Sequence, residues 1–311
     1  MGSADLTCRL LGLEMKNPIV LASGIIGTSA SLFLRAAQVG VGAVTAKSCS
    51  LQPRVGHPNP VALDWGAGVI NAIGLTNPGA EEEVHLLAEG RRILEPHGVP
   101  LIASIFAGTV EEFGQVAALI AQARPHLLEV NISCPNVADE FGTPFAAVCE
   151  SAAAVTESVR RAVGKELPIA VKLAPNVYNI GRIAAAVVEA GADAITAINT
   201  MPGMVIDAHA RRPVLHNRTG GLSGMAIKPI ALRCVAEIAQ AVKVPIIGTG
   251  GVNTGEDAAE MILAGATAVG VGTAVWYRGV EALGTIAQEL GAFMQAEGIR
   301  SLDEMRGQAI R

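Results

Sequence analysis

The sequence predicts an α/β fold, a (β/α)8 barrel of the TIM type whose long βα loops build the active site, and three observations lead there. Eight short apolar runs alternate with helix-length stretches along the 311 residues. Each run stops at a polar or glycine residue, as barrel strands do where they deliver side chains to the C-terminal face. No G-x-G-x-x-G run follows any of them, which removes the usual support for the competing fold, an open doubly wound sheet.

In chain order, the first run, Pro18 to Ala22, stops at Ser23-Gly24, and the second, Ala43 to Ala46, at Lys47-Ser48. The third, Pro100 to Ala103, stops at Ser104, and the fourth, Leu127 to Val130, at the sextet Asn131 to Asn136. Ile169 to Val171 leads to Lys172 and Ala194 to Ile198 to Asn199-Thr200. Pro245 to Ile247 and Ala268 to Val271 lead to Gly248-Thr-Gly-Gly251 and Gly272-Thr273. Between runs, Glu111 to Ala123, Phe145 to Val163, Ile180 to Glu189 and Ala258 to Leu263 carry alanine, leucine and charges at helical spacing. Such alternation requires parallel strands with right-handed crossovers. Lys47 to Pro78 and Asn199 to Met225 exceed the common connection length of about 4 to 6 residues, so they are expected to build the site. Residues 1 to 17 are expected to cover the barrel floor, and residues 1 to 311 to form one domain.

Composition narrows the function. Half the residues are apolar and 16% charged, enough for a large core with apolar surface left for partner subunits. A net charge of −5, no basic block and 3% aromatic residues argue against nucleic acid as a ligand. No apolar run approaches the roughly 20 residues of a membrane span and no signal-type segment opens the chain, so a cytoplasmic protein is expected. Cys8, Cys49, Cys134, Cys149 and Cys234 are scattered and never in C-x-x-C spacing. Reduced thiols and no metal are expected.

The strand ends carry the chemistry. Gly248 to Gly251 and Gly270 to Thr273 follow the seventh and eighth strands, where barrels bind phosphate through freed backbone N–H groups, although glycine also serves plain turns. Lys47 and Lys172 would enter an apolar mouth, where an anionic ligand offsets their desolvation; the alternative is that they reach back to water. Asn71, Asn131, Asn136 and Asn199 present acceptors and donors suited to a pyrimidine-like ring, or cap turns. Cys134 lies between two amides in the fourth loop, placed for proton abstraction, unless it is an inert small side chain. Asp64, Glu140 and Arg211-Arg212 read as solvated loop charges, and Glu81-Glu82-Glu83 as a solvated first helical turn.

Together these residues resemble the class 1 dihydroorotate dehydrogenases, most closely the class 1B catalytic subunits, over essentially the whole chain. The matching segments are MKNPIVLASG from Met15, AKS from Ala46, NAIGLTNPG from Asn71, NISCPN from Asn131, VKLAPNV from Val171, INT from Ile198, GGLSG and AIKPIALR from Gly220, and GTGG from Gly248. The resemblance implies FMN held by Ser23, Lys47, Ser48, Asn131, Lys172, Ile198, Gly224, Gly250, Gly251, Gly272 and Thr273. Ser104 is a further candidate, standing where relatives often carry a flavin-contacting asparagine; Met225 stands where they often carry proline. Substrate would meet Lys47, Asn71, Ala72, Ile73, Gly74, Leu75, Asn131, Asn136, Asn199 and Thr200.

The implied reaction is oxidation of (S)-dihydroorotate to orotate in pyrimidine synthesis, with Cys134 as base; the class 2 enzymes use serine instead. Class 1B further implies a homodimer core joined to an FAD and [2Fe–2S] subunit that passes electrons to NAD⁺, whereas class 1A homodimers use fumarate. Two other functions are compatible with the residues: a dihydropyrimidine dehydrogenase-like module acting on uracil or thymine, and a non-catalytic barrel that binds phosphate ligands.

Overall fold

The computed structural model of the chain describes residues 4–133 and 145–311, so Cys134, Asn136 and Glu140 lie outside the described residues. The expected closed barrel is present. Its parallel strands, in chain order, are β3 (Ile19–Leu21), β4 (Ala43–Thr45), β7 (Leu101–Ile105), β8 (Leu127–Asn131), β9 (Ile169–Leu173), β10 (Ala194–Ala197), β15 (Ile246–Thr249) and β16 (Ala268–Val271), and β16 closes on β3. Each predicted run contributes a strand, but seven C-terminal ends move, the first, second and sixth strands stopping one residue early at Leu21, Thr45 and Ala197. The third, fourth, fifth and seventh strands run on through Ile105, Asn131, Leu173 and Thr249, so Ser104, Asn131, Lys172 and Gly248-Thr249, expected just past a strand, lie within one. Asn131, Lys172 and Thr249 can occupy strand positions because they line a cavity rather than the apolar interior.

Prolines mark the barrel floor. Pro18, Pro100, Pro168 and Pro245 just precede strands, where a missing N–H costs nothing, and their carbonyls accept from Val269, Val44, Leu128 and Ile195 at 2.8–3.0 Å. The hairpin β1 (Cys8–Leu10) and β2 (Leu13–Met15) lies against that floor. Leu11 and Gly12 both have positive φ, 52° and 82°, the backbone of a tight two-residue turn. The Cys8 thiol donates to the Thr267 carbonyl at 3.2 Å, immediately before β16, with Leu10 and Met15 fully buried.

The helical ring includes α1 (Ala30–Gln38), α2 (Ala80–Leu94), α3 (Val110–Ile120), α4 (Cys149–Val163), α5 (Ile180–Glu189), α6 (Lys228–Ala241), α7 (Gly255–Leu263), α8 (Thr273–Arg278), α9 (Ala282–Ala296) and α10 (Leu302–Met305). Side-chain caps start several of them: Ser29, Thr109 and Asn179 accept from the backbone N–H three residues on. Thr254 and Asp257 form a reciprocal capping box at α7. Between helices and strands lies one large apolar core in which Phe33, Phe113 and Leu101 are essentially inaccessible to solvent. Among the described residues no helix is long and apolar enough to cross a membrane.

The two long connections are more ordered than the sequence suggests. They supply β5 (Ala62–Asp64), β6 (Val69–Asn71), β11 (Met201–Gly203) and β14 (Gly220–Ser223), which form an antiparallel sheet in the order β11-β14-β6-β5. Two shorter strands, β12 (Ile206–Asp207) and β13 (Arg212–Pro213), pair beside it. The β14–β6 ladder sets Asn71 opposite Gly221, so the second and sixth loops of the barrel are joined across its mouth.

A second expectation fails on α2. Glu83 is only 3% exposed and faces inward, unlike Glu81 and Glu82, which are exposed. Ala80, Leu87 and Leu94 share the buried face with it, and Glu83 falls on their 3- to 4-residue repeat.

Candidate active site

A cavity opens at the C-terminal ends of the barrel strands, beneath the antiparallel sheet. Its lining includes Ser23, Lys47, Ser48, Asn131, Lys172, Ile198, Gly224, Gly250, Gly251, Gly272 and Thr273, and also Asn71, Ile73, Gly74, Leu75, Asn199 and Thr200. Two residues selected from the sequence are placed elsewhere. Ala72 is fully buried with Ile70 and Leu215 on the far side of the β6 strand end. Ser104, 2% exposed, lies behind the wall, where it bonds other side chains.

Those bonds form a directed polar network. In parallel strands residues two apart share a face, so Glu129 and Asn131 of β8 both point inward, with Ser104 of β7 in register with Glu129 and Lys172 of β9 in register with Asn131. Ser23 and Ser104 each donate a hydroxyl to Glu129 Oε1 at 3.1 Å. With its proton so committed, Ser104 accepts from Ser48 at 2.8 Å, and Ser48 accepts from Asn131 Nδ2 at 3.4 Å. Asn131 Oδ1 accepts from Ser133 Oγ at 3.1 Å and Asn199 Nδ2 at 3.4 Å, which fixes which end of the amide is which.

Charge is balanced inside this network. Lys172 Nζ donates to Ser23 Oγ at 3.0 Å and lies 3.7 Å from Glu129 Oε1, and both charged side chains are under a tenth exposed. Burying either alone would be costly; as a pair they offset one another, leaving a cation fixed in the cavity wall. Lys47 is a second cation in the wall, and its charge is felt by the buried Glu83 carboxyl of α2. Burial pushes the Glu83 carboxyl up to about 7 against the pull of Lys47, and its Oε1 has no hydrogen-bond partner among the described residues.

On the opposite wall the backbone is exposed by glycine. Gly250 and Gly251 have φ of +131° and +79°, and a Cβ on Gly251 would lie 2.5 Å from Lys228 Cβ. Asp257 pins this loop, accepting from the backbone N–H groups of Asn253 and Thr254 at 2.9 and 2.8 Å and from Lys228 Nζ at 2.6 Å. Burial alone would raise the Asp257 pKa, but the Lys228 and backbone hydrogen bonds outweigh it and hold the carboxyl below its ordinary value. Thr249 Oγ1, also in the lining, is buried with no partner among the described residues. A glycine cradle, an orphaned hydroxyl and two lysines are the donor set expected for a phosphate-bearing, partly anionic cofactor, and the residues present fit one.

Glu129 and Ser133 escaped the sequence reading. A carboxylate inside the apolar run Leu127 to Val130 is the signal that could have found Glu129, since a buried acid needs a cation and Lys172 stands on the next strand. Of the cysteines, Cys8, Cys49, Cys149 and Cys234 lie outside the cavity lining. Burial pushes the thiols of Cys8 and Cys234 up to about 11 and that of Cys49 well above its ordinary value. Among the described residues no group of three His, Cys, Asp or Glu could hold a metal ion.

Fold and site thus define a (β/α)8 barrel with a polar cavity carrying two lysines and a glycine cradle at its C-terminal mouth. The sequence profile of the family described as dihydroorotate dehydrogenase matches residues 5–294, and the chain belongs to that family, whose members are flavin-dependent. A protein of Methanothermobacter thermautotrophicus named dihydroorotate dehydrogenase B (NAD(+)), catalytic subunit, is 44% identical over 304 residues, 96% of this chain and 97% of its own length. Proteins of the same name from Methanocaldococcus jannaschii and Bacillus pumilus are 41% and 44% identical, covering 99% and 98% of this chain and 99% and 96% of their own lengths.

Proposed function

We propose that this chain is the catalytic subunit of an NAD⁺-linked dihydroorotate dehydrogenase, oxidising (S)-dihydroorotate to orotate with FMN as its flavin. One observation carries the reading. Lys47, Asn131, Lys172 and Asn199 converge on a single cavity, and Cys134 follows three residues after Asn131, the last residue of β8, in the sequence.

In this reading the cradle at Gly250-Gly251 and Gly272-Thr273 would hold the FMN phosphate, and Lys47 and Lys172 would supply positive charge to the flavin when it is bound. Bound FMN supplies a two-electron acceptor for the hydride that leaves C6 of the substrate. Asn71, Asn131, Asn136 and Asn199 hold the substrate's ring amides and carboxylate, with Asn131 and Asn199 oriented by the network that starts at Glu129. Leu75 and Ile73 close the ring against water. Cys134 takes the C5 proton at its sulfur. A free thiol ionises near ~8.5, so turnover should climb with pH toward the thiolate.

The names of the relatives support an acceptor beyond this chain, and the described residues show no group to bind a metal cluster. The complete enzyme is then a core of two such chains with an FAD and [2Fe–2S] subunit that reduces NAD⁺.

The test is anaerobic. The FMN-loaded chain is mixed with (S)-dihydroorotate or with dihydrouracil and the visible flavin band followed. Dihydroorotate should bleach it selectively, and Cys134→Ala should slow bleaching by about 10²- to 10⁴-fold while FMN stays bound. Bleaching by dihydrouracil alone, or an undiminished rate in Cys134→Ala, contradicts the assignment of substrate or base respectively.

A further inference from the structure

The long connection after the second barrel strand folds back on itself, and its two arms meet at a pair of glycines. One arm, Arg54 to Val61, runs beside the other, Asn71 to Asn77. Arg54 and Asn77 exchange backbone hydrogen bonds at 2.9 and 3.1 Å, the His57 N–H donates to the Ile73 carbonyl at 3.1 Å, and the Ala72 N–H donates to the Val61 carbonyl at 2.7 Å. Gly56 and Gly74 allow this approach. A Cβ on Gly56 would strike Thr76 and the Ile73 carbonyl, and one on Gly74 would lie 2.5 Å from the His57 backbone nitrogen and 2.8 Å from its Cγ.

The His57 imidazole is thus packed directly on Gly74, and it also makes a directed bond. Its Nδ1 is 3.1 Å from the Ala72 carbonyl oxygen. A carbonyl only accepts, so Nδ1 carries the hydrogen and donates it. One residue therefore holds two successive carbonyls, that of Ala72 through its ring and that of Ile73 through its backbone. In a trans peptide the N–H points opposite to the C=O, so the N–H groups of Ile73 and Gly74 are turned away from His57. Ile73, Gly74 and Leu75 line the cavity, whereas His57 does not. The held segment is a costly one: Gly74 and Leu75 have φ of 78° and 60°, and a left-handed leucine persists only where its surroundings fix it. Asn77 Nδ2 completes the fixing, donating to the Leu75 carbonyl at 2.8 Å.

We propose that His57 is a positioning residue for substrate: from behind the cavity wall it fixes the Ala72–Gly74 backbone, so that Ile73, Gly74 and Leu75 present a preformed surface to the substrate ring. A segment ordered before binding spares the substrate that ordering cost. The inference rests on the function proposed above and adds a residue, outside the cavity lining, that sets its affinity for substrate.

The test uses the FMN-loaded chain, with orotate binding followed by the change in flavin absorbance and with anaerobic bleaching measured across dihydroorotate concentrations. His57→Phe keeps a ring of similar size and removes the Nδ1 donor. It should weaken orotate by about tenfold, and raise the dihydroorotate concentration for half-maximal bleaching by a similar factor, for one lost hydrogen bond. The limiting bleaching rate and the FMN affinity should stay within about twofold of wild type, the signature of lost binding rather than lost chemistry. His57→Asn, whose amide nitrogen can take the place of Nδ1, should restore orotate affinity. His57→Ala cannot crowd Gly74 and should weaken orotate at least as far, which keeps the test decisive if the phenylalanine variant does not fold. Wild-type orotate affinity in the alanine or phenylalanine variant overturns the proposal. So do orotate and FMN affinities that fall together without rescue by asparagine, which would make His57 a structural residue only. Absence in the wild type of both the orotate-induced change and bleaching by dihydroorotate instead removes the functional reading on which the proposal stands.

Discussion

Glu83 offers the sharpest quantitative consequence of this fold. Its carboxyl is buried on α2 with Oε1 unpaired, and its pKa is raised from 4.5 to about 7, chiefly by desolvation. An acid whose folded-state pKa is raised holds its proton more tightly folded than unfolded. Its stabilising contribution is therefore complete below about 4.5 and is lost as pH rises toward and through 7. At about 1.36 kcal/mol per pH unit, the interval from 4.5 to about 7 corresponds to about 3 kcal/mol. Glu83→Gln keeps the shape and removes the titration. Urea unfolding of both proteins at intervals from about pH 4 to 8 should show the variant gaining on wild type by about 3 kcal/mol across the range, with the gain concentrated between about 4.5 and 7. Other carboxylates titrate alike in both chains and cancel in the comparison. Parallel stability curves, with no growing gap, would refute the burial argument.

Two further substitutions test the cavity walls. Gly251→Ala combines a φ of +79° with a Cβ 2.5 Å from Lys228 Cβ, so it should weaken FMN binding by about tenfold or more, read by flavin fluorescence titration; unchanged affinity would remove the glycine cradle as a requirement. Glu129→Leu strands Lys172 in a wall where it is under a tenth exposed and should destabilise the fold by about 3 to 5 kcal/mol in urea unfolding. Adding Lys172→Met should return most of that loss, and a double variant no more stable than the single one would show that the two charges are not coupled.

The strand-end residues were legible because a parallel barrel sends every strand's C-terminal end to the same mouth. Lys47, Asn131, Lys172 and Asn199 could be grouped without knowing one distance between them. The antiparallel sheet over the mouth was not legible. Its partners, such as Asn71 and Gly221, come from loops far apart in the chain, and each contributes only three or four strand residues, too few for a period to show. Glu83 was misplaced for a related reason. Three consecutive glutamates favour the positive end of a helix wherever they point, so local sequence alone does not reveal that the third faces the core.

The alternation of apolar runs and helices determined by itself that the chain closes into a barrel, and the polar endings of those runs determined which residues would share a mouth, because side-chain period and strand direction are local properties. Only the tertiary structure decided how those residues are held. Glu129 neutralises Lys172, Ser104 retreats behind the wall to serve Glu129, and the buried Glu83 feels the charge of Lys47. Each of these depends on through-space partners on different strands and loops, and charge balance and burial are set by such neighbours rather than by position along the chain.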